Sequence, residues 1–152
     1  MQSIILTQTN FNKLKEEIKK NKDKKRIFTS EDDELNRKVL EKLEINILLL
    51  NQKNRKDFAK QRNSGLNQVL AKIAKKNKIQ IGINIDELIF SQGKTKAQIL
   101  ARIQQNIKLC NKNKIQMQFI SKSKQTPNSL KALGSTLGMP TWMTSKLVNE
   151  DV

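Results

Sequence analysis

The chain has 152 residues, of which 30 are Lys or Arg and 14 are Asp or Glu, so its formal net charge is +16. It contains no His and a single Cys, which excludes His-dependent triads, a His general base, His-based metal sites, an internal disulfide and a cysteine-only zinc site. The positive excess indicates an acidic partner, most simply nucleic acid, although heavy use of Lys, Ile and Asn can also reflect genome composition.

Short apolar segments that predict β-strands recur along the chain. The predicted strands cover residues 3–7, 26–29, 45–50, 79–85 and 115–120. The fourth is the clearest, because every odd position in it is Ile while the even positions are Gln, Gly and Asn. Segment 45–50 is nearly all apolar, which is typical of a parallel strand covered on both faces.

Helical spacing of apolar residues follows each predicted strand. The predicted helix starts are Thr9 or Asn10, Ser30, the Asn63-Ser64-Gly65 segment, Thr95 and Thr126 with Pro127. Ser, Thr and Asn are good helix caps, acidic residues suit the first turn, and Pro is favoured at the first helical position. Gly138 and Pro140 are expected to end the helix that begins after Thr126, and a short helix follows near Trp142.

Strict alternation of strand and helix predicts an α/β fold with a parallel sheet and right-handed crossovers. No Gly- or Pro-rich linker divides the chain, so residues 1–152 are expected to form one domain. A closed barrel of eight strands needs a longer chain. Five units suit either an open sheet or an incomplete TIM-like barrel.

In parallel α/β folds the loops that follow the strands form the working face, and here these loops are basic. The candidate phosphate contacts are Lys53, Arg55, Lys56, Lys60, Arg62, Lys94, Lys96, Lys122 and Lys124. A basic rim built from several loops is what binding to a phosphate backbone requires. The alternative is that the basic loops reflect amino-acid composition without a ligand. The loops at the opposite edge, between each helix and the next strand, are also rich in lysine, and there the cations complement the carboxyl ends of the helix dipoles.

Other motifs at this edge leave alternatives open. Asn63 and Ser64 can seat a phosphate at a helix start or act simply as a cap, which is the favoured interpretation. The Ser91–Thr95 segment ends like a phosphate loop but has Leu88 where the motif needs an earlier glycine, so it is rejected. Asp86 with Glu87 can hold Mg²⁺ or cap a helix, and capping is favoured.

Phe58 and Phe90 fall in loops on the basic rim. They can stack on bases, but packing beneath the loops is the favoured interpretation. Nothing in the chain approaches the roughly 18 apolar residues that cross a bilayer, and the amino terminus lacks a signal-peptide pattern. We therefore expect a cytoplasmic protein with no membrane partner.

Three segments resemble the ribonuclease P protein component 3 family. They are RNSGLNQVLAK at 62–72 with AKKN at 74–77 and the strand 79–85, ILARIQQNIKLC at 99–110, and LKALG at 130–134 with LGM at 137–139. The segments follow the family's order, and the resemblance is strongest over residues 60–140.

The resemblance implies a TIM-like barrel related to metal-dependent phosphoesterases, here in a short form. It implies a non-catalytic subunit of the ribonucleoprotein that removes the 5′ leader from precursor tRNA, with catalysis by the RNA and its Mg²⁺. The implied partners are the catalytic RNA, component 2, other protein subunits and precursor tRNA. No catalytic residue, metal or cofactor is assigned to this chain. Lys72 and Arg102 occupy motif positions and are expected to face RNA or the partner protein.

Two other functions are considered. An independent metal-dependent phosphoesterase or nuclease needs converging carboxylates, for which Asp86 and Glu87 are the candidates. The other alternative is a protein-interaction scaffold, whose positive net charge would reflect only the nucleotide composition of the genome.

Overall fold

The computed structural model describes residues 2–150, in which five strands alternate with helices. The strands are β1 (Ser3–Leu6), β2 (Lys25–Phe28), β3 (Ile47–Leu50), β4 (Gln80–Asn84) and β5 (Met117–Ile120). The helices are α1 (Phe11–Lys20), α2 (Asp33–Lys42), α3 (Gln68–Lys76), α4 (Ile85–Phe90), α5 (Gly93–Asn113), α6 (Pro127–Leu137) and α7 (Thr141–Thr144).

The five strands form one parallel sheet in the order β1-β2-β3-β4-β5. β1 and β5 lie at opposite edges, so the sheet is not closed. This confirms the predicted α/β architecture with a parallel sheet. Because all strands run the same way, the loops that follow them share the carboxyl edge of the sheet.

The two faces of the sheet bury different side chains. Leu48, Ile81 and Phe119 belong to the large core between sheet and helices. The opposite face carries a small cluster of Ile27, Ile47, Leu49 and Ile120, which are at most 4% exposed. Gly82 lies among them, since a Cβ there would be 3.0 Å from Ile47, 3.2 Å from Leu49 and 3.3 Å from Ile120. This second face is therefore filled by its own strand side chains.

Helix boundaries confirm several predictions. Asn10 caps α1 and accepts from the Lys13 amide at 3.1 Å, and Thr126 caps α6 with Pro127 in its first turn. Gly138 ends α6 in the left-handed region with a φ of 104°. The cap of α2, however, is Asp32 rather than Ser30, whose hydroxyl instead contacts Asn36 at 2.8 Å.

Other boundary predictions are also wrong. The helix expected to start at Thr95 begins at Gly93. The helix expected to open at residues 63–65 begins at Gln68, with Asn67 as its cap. The strand expected to reach Ile85 ends at Asn84, whose side chain caps α4 by accepting from the Asp86 and Glu87 amides. The alternating pattern extends one residue into this short helix, and six residues are too few to show helical periodicity.

The carboxyl-terminal segment crosses from β5 back to the first two strands. The Gln118 side chain donates to the Lys146 carbonyl at 3.0 Å and accepts from the Val148 amide at 3.1 Å. Glu150, which is 7% exposed, accepts from Ser3 Oγ at 3.0 Å and from Lys25 Nζ at 2.6 Å. The segment thus connects the two sides of the open sheet near the amino ends of β1 and β2. Between residues 2 and 150 no helix has the length and apolar character needed to cross a membrane.

Candidate nucleic-acid interface

A chain of polar side chains runs along the carboxyl edge of the sheet. Asn84 donates to Asn51 at 3.0 Å, Asn51 donates to Thr29 Oγ1 at 3.1 Å, and Thr29 donates to the Leu49 carbonyl at 3.0 Å. These residues stand at the ends of β4, β3 and β2. These three residues were not predicted as site residues, although a polar residue at the end of three consecutive strands was a usable signal.

Above this edge lies an open cavity of about 390 Å³. Its walls include Ser30, Glu31, Asp33, Asn51, Lys53, Asn54, Arg55, Lys56, Asn63, Asn84 and Glu87. The lining is largely polar and carries both signs of charge, so hydrogen bonding and ionic contacts dominate its chemistry.

The loop between β3 and α3, residues 51–67, is held from within by Arg102 of α5. Arg102 is 2% exposed and donates to Asp57 Oδ1 at 3.0 Å, the Gln52 carbonyl at 2.8 Å and the Arg55 carbonyl at 2.9 Å. A guanidinium with several fixed donors suits this cross-bracing role. The expectation that Arg102 faces RNA or a partner is corrected accordingly: its donors point into this loop.

Arg55 is similarly engaged, with a side chain 9% exposed. It donates to the Asn51 carbonyl at 2.7 Å and to Asp33 Oδ2 at 3.0 Å. Gly65, at a φ of 79°, lies directly against the guanidinium, where a Cβ would be 2.7 Å from Arg55 Cζ. Glycine is therefore required at this position both by the backbone and by the close approach. Arg55 shapes the loop more than it presents charge to solvent.

Asp57 closes the outer part of this loop. Its Oδ1 accepts from the Asn63 amide and from Arg102 Nε, both at 3.0 Å. These contacts, the Asn63 amide first, lower the pKa of the Asp57 carboxyl below its ordinary value of 3.8. Within the closed segment, the Phe58 amide donates to the Gln61 carbonyl at 2.9 Å. Residues 57–63, hereafter the closed turn, are thus tied at their base.

The Asn63-Ser64-Gly65 segment is a turn rather than a helix start. Ser64 is 1% exposed, and its carbonyl accepts from Gln52 Nε2 at 2.9 Å and Asn106 Nδ2 at 3.1 Å. Asn63 is half-buried. The segment anchors the loop on α5. Because α3 begins only at Gln68, Asn63 and Ser64 do not form a phosphate-binding site at a helix amino terminus.

Asp86 and Glu87 point to different loops. Glu87 accepts from the Gln52 and Lys53 amides at 2.8 and 2.7 Å. Asp86 accepts from Ser121 Oγ at 2.6 Å and from the Lys122 amide at 3.0 Å. The two carboxylates brace the loops after β3 and β5 against α4 instead of converging. Residues 2–150 contain no cluster of three or more His, Cys, Asp or Glu suited to a metal ion.

The remaining predicted cations form a surface that we call the rim. Its members are Lys53, Lys56, Lys60, Arg62, Lys94, Lys96, Lys122 and Lys124. All are exposed except Lys96, which is half-buried. The ion pairs within residues 2–150 are Lys25–Glu150, Arg37–Glu41, Arg55–Asp33 and Arg102–Asp57, and none includes a rim residue. Lys72 is also exposed, on α3.

Two phenylalanines stand out from the core. Phe58, in the closed turn, is 59% exposed, and Phe90, the last residue of α4, is 78% exposed. The favoured interpretation that they pack beneath the loops is therefore wrong. The other three phenylalanines contact the core, since Phe28 and Phe119 are buried and Phe11 packs half-buried against it.

Comparison with known proteins finds relatives over nearly the whole chain. Ribonuclease P protein component 3 of Methanococcus maripaludis strain C5 is 29% identical over 149 residues, which cover 97% of this chain and 62% of the relative. The protein of the same name from Methanosarcina acetivorans is 32% identical over 83 residues, covering 51% of this chain and 35% of the relative. No family model matches the chain.

A solved structure supports the same relationship at the level of the fold. One chain of a cryo-EM structure of archaeal ribonuclease P with mature tRNA superposes with a TM-score of 0.77 at 23% identity, covering 93% of this chain and 62% of that chain. The present chain therefore spans about three fifths of the length of the first of these relatives and of the solved chain. The resemblance seen in the sequence is confirmed: nearly the whole chain is similar to archaeal ribonuclease P protein component 3.

Proposed function

We propose that the chain is a non-catalytic protein subunit of ribonuclease P that binds and supports the RNA which removes the 5′ leader from precursor tRNA. Its partners are the catalytic RNA, component 2 and the other protein subunits, and precursor tRNA is the substrate of the assembled complex. The Mg²⁺ of the reaction is assigned to the RNA. No residue of this chain is given a catalytic role.

The observation that carries this proposal is the rim. The loops after β3 and β5 carry most of the rim, while Lys94 and Lys96 lie in the first turn of α5. No carboxylate of residues 2–150 lies within ion-pair distance of these side chains. Neighbouring carboxylates are held by internal contacts, as with Asp57 in the loop after β3 and with Asp86 and Glu87 of α4. An array of exposed, unpaired cations on braced loops suits contacts to phosphates, which position a protein on RNA without reading sequence.

Removing three rim charges tests the proposal. The variant Lys56→Ala/Lys60→Ala/Arg62→Ala should bind the ribonuclease P RNA of the same organism more weakly. Its plot of log K against log salt concentration should be shallower by about 2 units, because each lost phosphate contact contributes roughly 0.7–0.9. Filter binding over a salt series measures both quantities.

The matched control is Lys22→Ala/Lys76→Ala/Lys112→Ala, which removes the same charge at the opposite edge of the sheet. These lysines are exposed and have no side-chain hydrogen bond within residues 2–150. The control should keep most of the affinity and the slope. Equal losses in the two variants would indicate attraction by net charge alone and would remove the rim assignment.

The independent phosphoesterase lacks support because Asp86 and Glu87 are turned toward different loops. Cleavage of precursor tRNA by the protein alone, abolished by Asp86→Ala, would revive it.

A further inference from the structure

We propose that the groove beside the closed turn binds one unpaired nucleobase, which stacks on Phe58. This inference rests on the proposed function and adds to it a specific ligand chemistry and a specific contact. Phosphate contacts by the rim do not require it, so the two can be tested separately.

The groove is a cavity of about 440 Å³ between the closed turn, the start of α3 and the side of α5. This size lies within the range of about 300–1,000 Å³ that is usual for ligand sites. Phe58, Leu66, Leu70 and Leu109 give it a mostly apolar wall. Leu66 and Leu70 are 6% and 8% exposed and Leu109 is half-buried, whereas Phe58 is 59% exposed.

The turn that presents Phe58 is held by contacts within the chain. The Asp57–Asn63 contact closes its base, Arg102 holds Asp57 from α5, and the Phe58–Gln61 contact closes its tip. A binding group that is already fixed loses less conformational entropy on association. An aromatic ring that is 59% exposed on such a turn is placed to receive a second planar group.

Charge and hydrogen-bonding groups around the groove favour a nucleotide over an apolar peptide. Arg62 lines the groove, Lys60 lies in the same turn, and neither has an ion-pair partner within residues 2–150. Asp33, the carboxylate at the groove, is paired with Arg55 at 3.0 Å. The Gln61 side chain also lines the wall and offers both a donor and an acceptor to a base edge. An aromatic platform flanked by cations is the usual arrangement for single-stranded RNA.

Phe90 provides a matched control. It is more exposed than Phe58, at 78%, but does not line this groove. Trp142, the single tryptophan of the chain, can be replaced to give a silent background. The variants are Phe58→Trp and Phe90→Trp, each combined with Trp142→Phe.

The probes are a 12-nucleotide oligoadenylate and an abasic oligonucleotide of the same length and charge, at low salt. Oligoadenylate should quench the tryptophan at position 58, the abasic strand should not, and the tryptophan at position 90 should respond to neither. In the otherwise unchanged chain, Phe58→Ala should weaken oligoadenylate binding on the order of 5- to 150-fold and leave the salt slope unchanged.

Equal quenching by both strands, or no quenching by either, would overturn base stacking. If Phe58→Ala binds oligoadenylate like the unchanged chain while the rim variant is impaired, stacking fails and the proposed function stands. If Phe58→Ala impairs assembly with protein subunits but not oligonucleotide binding, the groove is a protein contact and the proposal is wrong.

Discussion

Arg102 and Asp57 together determine the shape of the loop between β3 and α3. Their contact at 3.0 Å joins residues 45 positions apart, and the same guanidinium reaches the Gln52 carbonyl across 50 positions. Sequence spacing cannot distinguish an arginine that donates hydrogen bonds to such distant partners from one that contacts phosphates. The exposure of the rim lysines was easier to predict, because a lysine side chain is seldom buried without a partner.

The pKa of Asp57 gives a pH prediction at this scale. The Asn63 amide, and after it Arg102, lower this pKa in the folded chain. The ionised carboxylate therefore stabilises the closed turn fully above the ordinary value of 3.8, and this stabilisation is lost as the pH falls below that value through the folded pKa. In an NMR titration from pH 6 downward, the Asn63 amide shift should stay constant until the pH is below about 4.

The variant Asp57→Asn should lack this transition. A transition of the Asn63 amide centred above 3.8 in the unchanged chain would contradict the contact.

At the scale of elements, β4 combines a well-predicted strand with an unpredicted packing constraint. Its alternating Ile residues place Ile81 and Ile83 in the helix-facing core, as period-2 spacing indicates. The need for Gly82 arises from Ile47, Leu49 and Ile120 on neighbouring strands. That need depends on strand register, which a single sequence does not reveal.

We expect Gly82→Val to lower the free energy of unfolding by about 1–3 kcal/mol, because added methyl groups overpack the cluster on the second face. Urea unfolding followed by circular dichroism measures this. The double variant Gly82→Val/Leu49→Ala should be less destabilised than the sum of the two single variants, since it restores space. Strict additivity would show that crowding against Leu49 is not the cause.

The alternation of strands and helices was predictable, because each unit repeats the same apolar spacing and most caps are residues with strong local preferences. The start of α3 and the whole of α4 were not. Asn67 competes with Asn63 and Ser64 as a cap, and the choice is made by Gln52 and Asn106, which bind the Ser64 carbonyl. The rim's contacts with RNA remain a prediction.

For the whole molecule, the carboxyl-terminal segment partly compensates for the open sheet. Gln118 on β5, and Ser3 and Lys25 at the starts of β1 and β2, all bind residues of this segment. No sequence pattern indicated this connection, because Glu150 lies 125 positions from Lys25 and 147 positions from Ser3.

We expect Glu150→Ala to lower the free energy of unfolding by about 1–2 kcal/mol. The buried carboxylate accepts two hydrogen bonds, but Lys25 is 22% exposed and can be hydrated when its partner is lost. Thermal and urea denaturation measure the change, and Glu150→Gln, which keeps hydrogen-bonding capacity, should lose less. Unchanged stability in Glu150→Ala would show that the segment does not hold the two sides of the sheet together.

The most direct test of the central claim is to express a tagged copy in the organism that encodes it, purify it at moderate salt, and assay the eluate on precursor tRNA. We predict that one defined structured RNA copurifies and that 5′ leader cleavage disappears when this RNA is digested. Recovery of no specific RNA, or cleavage that survives its digestion, would contradict the assignment of this chain as a non-catalytic ribonuclease P subunit.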